Sequence, residues 1–124
     1  MTKEQSKEMT NQEKTQLAAN LDFANFLQYA PEELEEADKA DGQQIDALEI
    51  AIGKEFDGTK TFMILLGTGG PAMRIIGELD EHSEPITAKY QYQDWFTEWT
   101  TAEGSENNKI VLQYARQFYF DGME

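Results

Sequence analysis

The sequence predicts an α+β domain, a three-stranded antiparallel meander with two helices before it and one after it. Three observations lead there. Apolar residues recur at helical spacing as far as residue 53, the stretch from Lys60 to Tyr92 is rich in strand formers punctuated by turn residues, and a last helical stripe follows Asn108. Strands joined by short turns pair antiparallel, and helices segregated to the two ends of the chain cover one face of the resulting sheet. The other face, and the edge strands, are then left for solvent or a partner.

The first nine residues are polar and unpatterned and read as a disordered tail, leaving 10–124 as a single domain. Thr10 and Glu13 fit a capping box, so a helix is expected to start there. Leu17, Leu21, Ala24 and Leu27 form its apolar stripe, widened by Phe23 and Phe26, and the helix is expected to end near Tyr29, before Pro31. Pro31 suits the first position of a new turn, and Glu32 and Glu33 would complement its positive end. Asp41 with Gln44 makes a second capping box, and Ile45, Leu48 and Ile52 a second stripe, closing near Gly53.

The character changes at Lys60. Thr61–Leu66 reads as a strand, and Gly67-Thr68-Gly69-Gly70-Pro71 as a turn. Ala72–Asp80 alternates Met73, Ile75, Gly77 and Leu79 against Arg74, Ile76 and Glu78, as a second strand would. Beyond the turn at Glu81–Pro85, Ile86, Ala88, Tyr90 and Tyr92 fall on one face of a third strand, with Thr87, Lys89, Gln91 and Gln93 on the other. Trp95 and Trp99 take the opposite parity, which implies a bulge near Gln93-Asp94. A polar loop from Thr101 to Asn108 leads to the last helix, striped by Ile110, Val111, Tyr114, Ala115 and Phe118.

Charge narrows the function. With 24 Asp+Glu against 10 Lys+Arg the formal charge is −14, so the chain repels nucleic acid and anionic membrane and attracts basic surfaces. A hydrophobic fraction of 40% and fourteen aromatics argue for a packed core all the same. The absence of cysteine excludes disulfides, thiolate metal sites and a cysteine nucleophile, and suits a reducing cytoplasm. The N-terminus has no apolar signal region, and the longest apolar run, Phe62–Leu66, is too short to span a bilayer, so a cytoplasmic protein is expected.

No constellation points to catalysis. Gly67, Gly69 and Ala72 satisfy a G-x-G-x-x-A pattern, but the residues that follow read as a strand rather than the helix a phosphate loop requires; a hairpin turn is expected. His82 lies among Asp80, Glu81, Ser83 and Glu84 in a turn, without the spacing of a calcium loop or the frame of a triad. Asp94 and Glu98 bracket Trp95, Phe96 and Trp99 in the manner of a sugar cleft, yet two carboxylates in an acid-rich chain are a common coincidence. No enzyme activity, cofactor or metal is expected.

What stands out is one acidic run. Glu32, Glu33, Glu35, Glu36, Asp38, Asp41, Asp46 and Glu49 face a single base, Lys39. A helix rising about 1.5 Å per residue can present carboxylates at a density comparable to duplex DNA, which carries one charge per about 1.7 Å of axis. Small size, acidity, no cysteine and no catalytic motif resemble the anti-defence proteins of phages and mobile elements, the anti-CRISPR and anti-restriction inhibitors that include DNA mimics. The segments Gly69–Pro71, Ile76–Asp80, Gln93–Trp99 and Tyr114–Phe120 also look like proteins of such elements. The resemblance implies an inhibitor and carries over no site residue; the charge of the acidic run points to competition with nucleic acid for a basic site on a nuclease or other DNA-binding complex. It implies no contact with nucleic acid itself. The alternative is an interaction module built on the aromatic strand 90–99, with charge serving solubility, and an open sheet edge also permits a homodimer.

Overall fold

A computed structural model describes residues 9–39, 47–69, 71–94, 98–118 and 120; of Glu33 and residues 36–39 only the backbone course is described. The order is α1 (Asn11–Lys39), β1 (Glu49–Lys54), β2 (Lys60–Gly67), β3 (Ala72–Leu79), β4 (Lys89–Gln93), β5 (Thr100–Thr101) and α2 (Lys109–Ala115). The five strands form one antiparallel sheet in sequential order. The class is therefore α+β; among the described residues the sheet has five strands where three were expected, and one helix precedes it where two were expected.

The capping box at the start of α1 forms as the sequence dictates. The Thr10 N–H donates to Glu13 Oε1 at 2.8 Å and the Glu13 N–H to Thr10 Oγ1 at 3.1 Å. The buried stripe is not the expected one. Leu17 and Leu21 are 48% and 59% exposed, whereas Thr15, Ala19, Phe23, Phe26 and Ala30 are buried. Spacings of four, four, three and four put small residues and two rings on one face, so the helix approaches the sheet closely.

Nor does α1 end at Tyr29: it continues through Pro31 to Lys39. An interior proline removes one backbone bond and costs about 3 kcal/mol. Burial on both sides of it offsets that cost, since Ala30 is fully buried and Leu34 packs on the core one turn later.

The second expected helix is replaced where it can be seen. Residues 40–46, with the Asp41–Gln44 box, lie outside the described residues, but Glu49–Lys54 is a strand. Ile52 fits the helical stripe with Ile45 and Leu48, but with Ile50 it also matches a period of two, and pairing decides: Ile50 lies opposite Ile64 and Ile52 opposite Phe62. The β1–β2 hairpin turns at Asp57-Gly58, where Gly58 has φ +92° and Asp57 Oδ1 accepts the Thr59 N–H at 2.9 Å.

The glycine-rich segment is the β2–β3 hairpin turn, with Gly69 at φ +98°, and a strand follows it. The phosphate-loop pattern thus lacks its helix. At the far end of β3, Gly77 admits the chain after Pro85: a Cβ there would lie 1.9 Å from the Thr87 carbonyl oxygen. The third expected strand is shorter than its alternation, starting at Lys89 rather than Ile86, because Glu78 bonds Ile86 and the Thr87 hydroxyl rather than extending a ladder. Thr100–Thr101, expected at the edge of a loop, pairs with Tyr92 and Gln91 as β5. Asn108 caps α2, its Oδ1 accepting the Ile110 N–H at 2.8 Å.

One face of the sheet is sealed. Phe62, Ile64, Ile75, Leu79, Ala88, Tyr90 and Tyr92 pack against Phe23 and Phe26 of α1 and Val111 and Tyr114 of α2. The Phe26 ring lies 5.0 Å from Tyr90 and 5.1 Å from Tyr114 between centroids. The Tyr90 hydroxyl donates to Asp22 Oδ2 at 2.5 Å, so this buried phenol is not left unsatisfied. Tyr90 and Tyr92 are buried on the core face of the sheet.

Candidate functional site

The acidic run is divided by the fold. Glu32 and Glu35 are exposed on the part of α1 beyond Pro31. Three residues apart, they share a helix face and are separated by about 4.5 Å along the axis. Glu33, Glu36 and Asp38 belong to the same helix, with side chains outside the description; Asp41 and Asp46 lie outside the described residues. Glu49 is exposed on a different element, at the start of β1. Beside Glu32 and Glu35 runs a groove of about 650 Å³ between α1 and α2, lined also by Leu34, Ile110, Gln113 and Arg116. Arg116 is tied to the body of the fold, its Nε donating to the Pro85 carbonyl at 3.0 Å. Glu32 and Glu35 therefore line the same groove as one fixed cation, while Glu49 does not.

The face of the sheet away from the core holds residues that the sequence did not single out. Paired strands put directly opposed residues on the same face. Leu65, Arg74, Gln91 and Thr101 form one row across β2 to β5, and Ala51, Met63, Ile76 and Lys89 the next row across β1 to β4. A cavity of about 640 Å³ lies over this face, with Met63, Arg74, Ile76 and Lys89 on its floor and Glu55, Glu78 and Glu106 around its rim. Its volume is that of a small-molecule site.

Arg74 is held in place from two sides. Its Nε donates to Gln91 Oε1 at 2.8 Å, and its guanidinium carbon sits 4.1 Å from the centre of the Trp99 ring. Gln91, 7% exposed, is oriented in turn by donating Nε2 to Thr101 Oγ1 at 3.1 Å. Burial lowers the Arg74 pKa from its ordinary value, though an arginine remains charged at any ordinary pH. Among the described residues Arg74 forms no ion pair. Alternation placed Arg74, Lys89 and Gln91 on outward faces of their strands, but only the register brings them together.

His82 is exposed beside Glu81, with Nε2 and the carboxylate 3.4 Å apart, and Asp80 serves the turn, its Oδ1 accepting the His82 and Glu84 N–H groups. Those backbone bonds, that of Glu84 first, hold the Asp80 carboxyl below its ordinary pKa. Among the described residues no three His, Asp or Glu side chains stand where they would hold a metal ion. Glu98 is exposed, Asp94 half-buried, and Trp95 and Phe96 of the imagined sugar cleft lie outside the described residues. Tyr90 is pushed well above the ordinary phenol range, by burial first and the Asp22 bond second; it is a locked structural group.

No helix among the described residues is long and apolar enough to cross a membrane. Comparison of the chain with protein-family models, with curated proteins and with solved structures finds no match.

Proposed function

We propose that the chain acts by binding, not catalysis: an acidic inhibitor that occupies a basic, nucleic-acid-binding surface of a nuclease or other DNA-binding complex. Its contact surface is the segment carrying Glu32, Glu33, Glu35, Glu36, Asp38, Asp41, Asp46 and Glu49. One observation carries the reading. α1 does not stop at its proline but continues for eight more residues to Lys39, keeping Glu32 and Glu35 in solvent while Leu34 anchors the turn to the core. A rigid helical mount holds charges at fixed spacing without the ordering cost that a flexible acidic loop would incur on binding. With a net charge of −14, electrostatic steering makes association fast and steeply salt-dependent. The cytoplasm is the proposed setting, since a chain without cysteine loses nothing under reducing conditions.

The test is displacement. The immobilised chain is loaded with extract from its host, and the bound proteins are eluted with duplex DNA at constant ionic strength. Release of a DNA-binding complex by DNA supports competition for a basic site. A specific partner that ignores DNA and survives high salt sinks the mimic and leaves the acidity to solubility.

A further inference from the structure

We propose that the cavity on the face of the sheet away from the core is a binding groove for an amphipathic organic monocarboxylate, with Arg74 and Lys89 receiving its head group. This goes beyond the acidic-helix reading and uses none of its residues.

The carboxylate end follows from how Arg74 is presented. Its Nε is taken by Gln91 and one guanidinium face by Trp99, which leaves both Nη groups without a hydrogen-bond partner among the described residues. Two parallel Nη donors in a fixed plane match the two oxygens of a carboxylate. The support is built rather than accidental, because the orienting Gln91 is itself 7% exposed and held by Thr101. Lys89 stands diagonally across from Arg74, since Arg74 pairs with Gln91 and Lys89 lies two residues along the same strand. Diagonal neighbours of this kind are about 7–8 Å apart, within reach of one head group for long side chains. In a chain of net charge −14, Arg74 and Lys89 form no ion pair among the described residues even though Glu55, Glu78 and Glu106 line the same groove, which leaves both cations available to a ligand.

The apolar body follows from the row beside them. Ile76, Met63 and Ala51 lie opposite one another across β3, β2 and β1, half-buried and on the face away from the core. Two strand spacings make this strip about 10 Å long. The limit to one carboxylate follows from the rim. Glu55, Glu78 and Glu106 all line the same cavity, so a second carboxylate entering it would meet like charge.

The probe is decanoate below its micelle concentration, titrated by calorimetry against the full chain, with decanol, sebacate and decyltrimethylammonium as comparators. Saturable binding of decanoate at least about tenfold tighter than of each comparator is expected, the worth of one good charge-assisted pair. Arg74→Gln should lose at least about tenfold of that affinity and Lys89→Met somewhat less, each with an unchanged far-UV spectrum. Should Arg74→Gln misfold, Lys89→Met and Met63→Glu carry the test alone. The proposal is overturned if decanol binds as well as decanoate, if folded variants keep wild-type affinity, or if decanoate does not saturate while a macromolecule occupies the face.

Discussion

Alkaline stability offers a quantitative check on the packing of Tyr90. The ring is buried against Phe23 and Phe26, its hydroxyl donates to Asp22, and both burial and that bond raise its pKa above the ordinary value of 10.0. The folded state thus keeps a proton that the unfolded chain loses near pH 10, so stability from this group is fully present below pH 10 and declines as pH rises further. The slope is about −1.4 kcal/mol per pH unit for one tyrosine. Tyr90→Phe removes the term together with the bond to Asp22. Losing a hydrogen bond to a carboxylate costs about 1.5–3 kcal/mol, toward the lower end here because half-exposed Asp22 regains water. At pH 7 the variant should therefore be less stable by about 1.5 kcal/mol, and above pH 10 the gap should close by about 1.4 kcal/mol per unit. The two curves meet near pH 11. Urea unfolding followed by circular dichroism between pH 7 and 11.5 measures both curves. A gap that stays constant to the top of that range would refute the buried, locked phenol.

Three further perturbations test the frame. Pro31→Ala restores a backbone donor in the middle of α1 and should stabilise by about 2 kcal/mol in urea unfolding; a loss instead would mean that the helix does not run through this position. Gly77→Ala places a methyl against the Thr87 carbonyl and the Phe62 ring, with a loss of more than about 2 kcal/mol expected by thermal melting. Thr10→Ala and Glu13→Ala should each cost about 1 kcal/mol, and the double variant less than their sum, because each partner's bond depends on the other.

Much of the fold was readable from local pattern. The capping box, the strands around Phe62–Leu66 and Met73–Leu79, the hairpin at Gly67–Pro71, the facing of Ala88, Tyr90 and Tyr92, and the last helix are all set by residues within a few positions of one another. The misreadings share a cause, which is that distant partners overrode local preference. Pro31 sits in a helix because Ala30 and Leu34 are packed on a core made mostly of later strands. Ile50 and Ile52 form a strand because Ile64 and Phe62 stand opposite them, although the Asp57-Gly58 turn that allows it was visible in the sequence. Leu17 and Leu21 look like a core stripe, but the close fit over Tyr90 selects Ala19, Phe23 and Phe26 instead. For the acidic run, composition identified the residues but not their division between α1 and β1. The Arg74 groove was out of reach for the same reason as β1, since it exists only once four strands are in register.

The most direct measurement on the acidic segment is a parallel capture from host extract on the wild-type chain and on the double variant Glu32→Lys, Glu35→Lys, both eluted by a salt gradient. Both positions are exposed, so the variant should keep its far-UV spectrum. The expected result is a DNA-binding complex that the wild type retains and releases with salt, and that the variant fails to hold. The same partner held equally by both chains, at any salt, would contradict it.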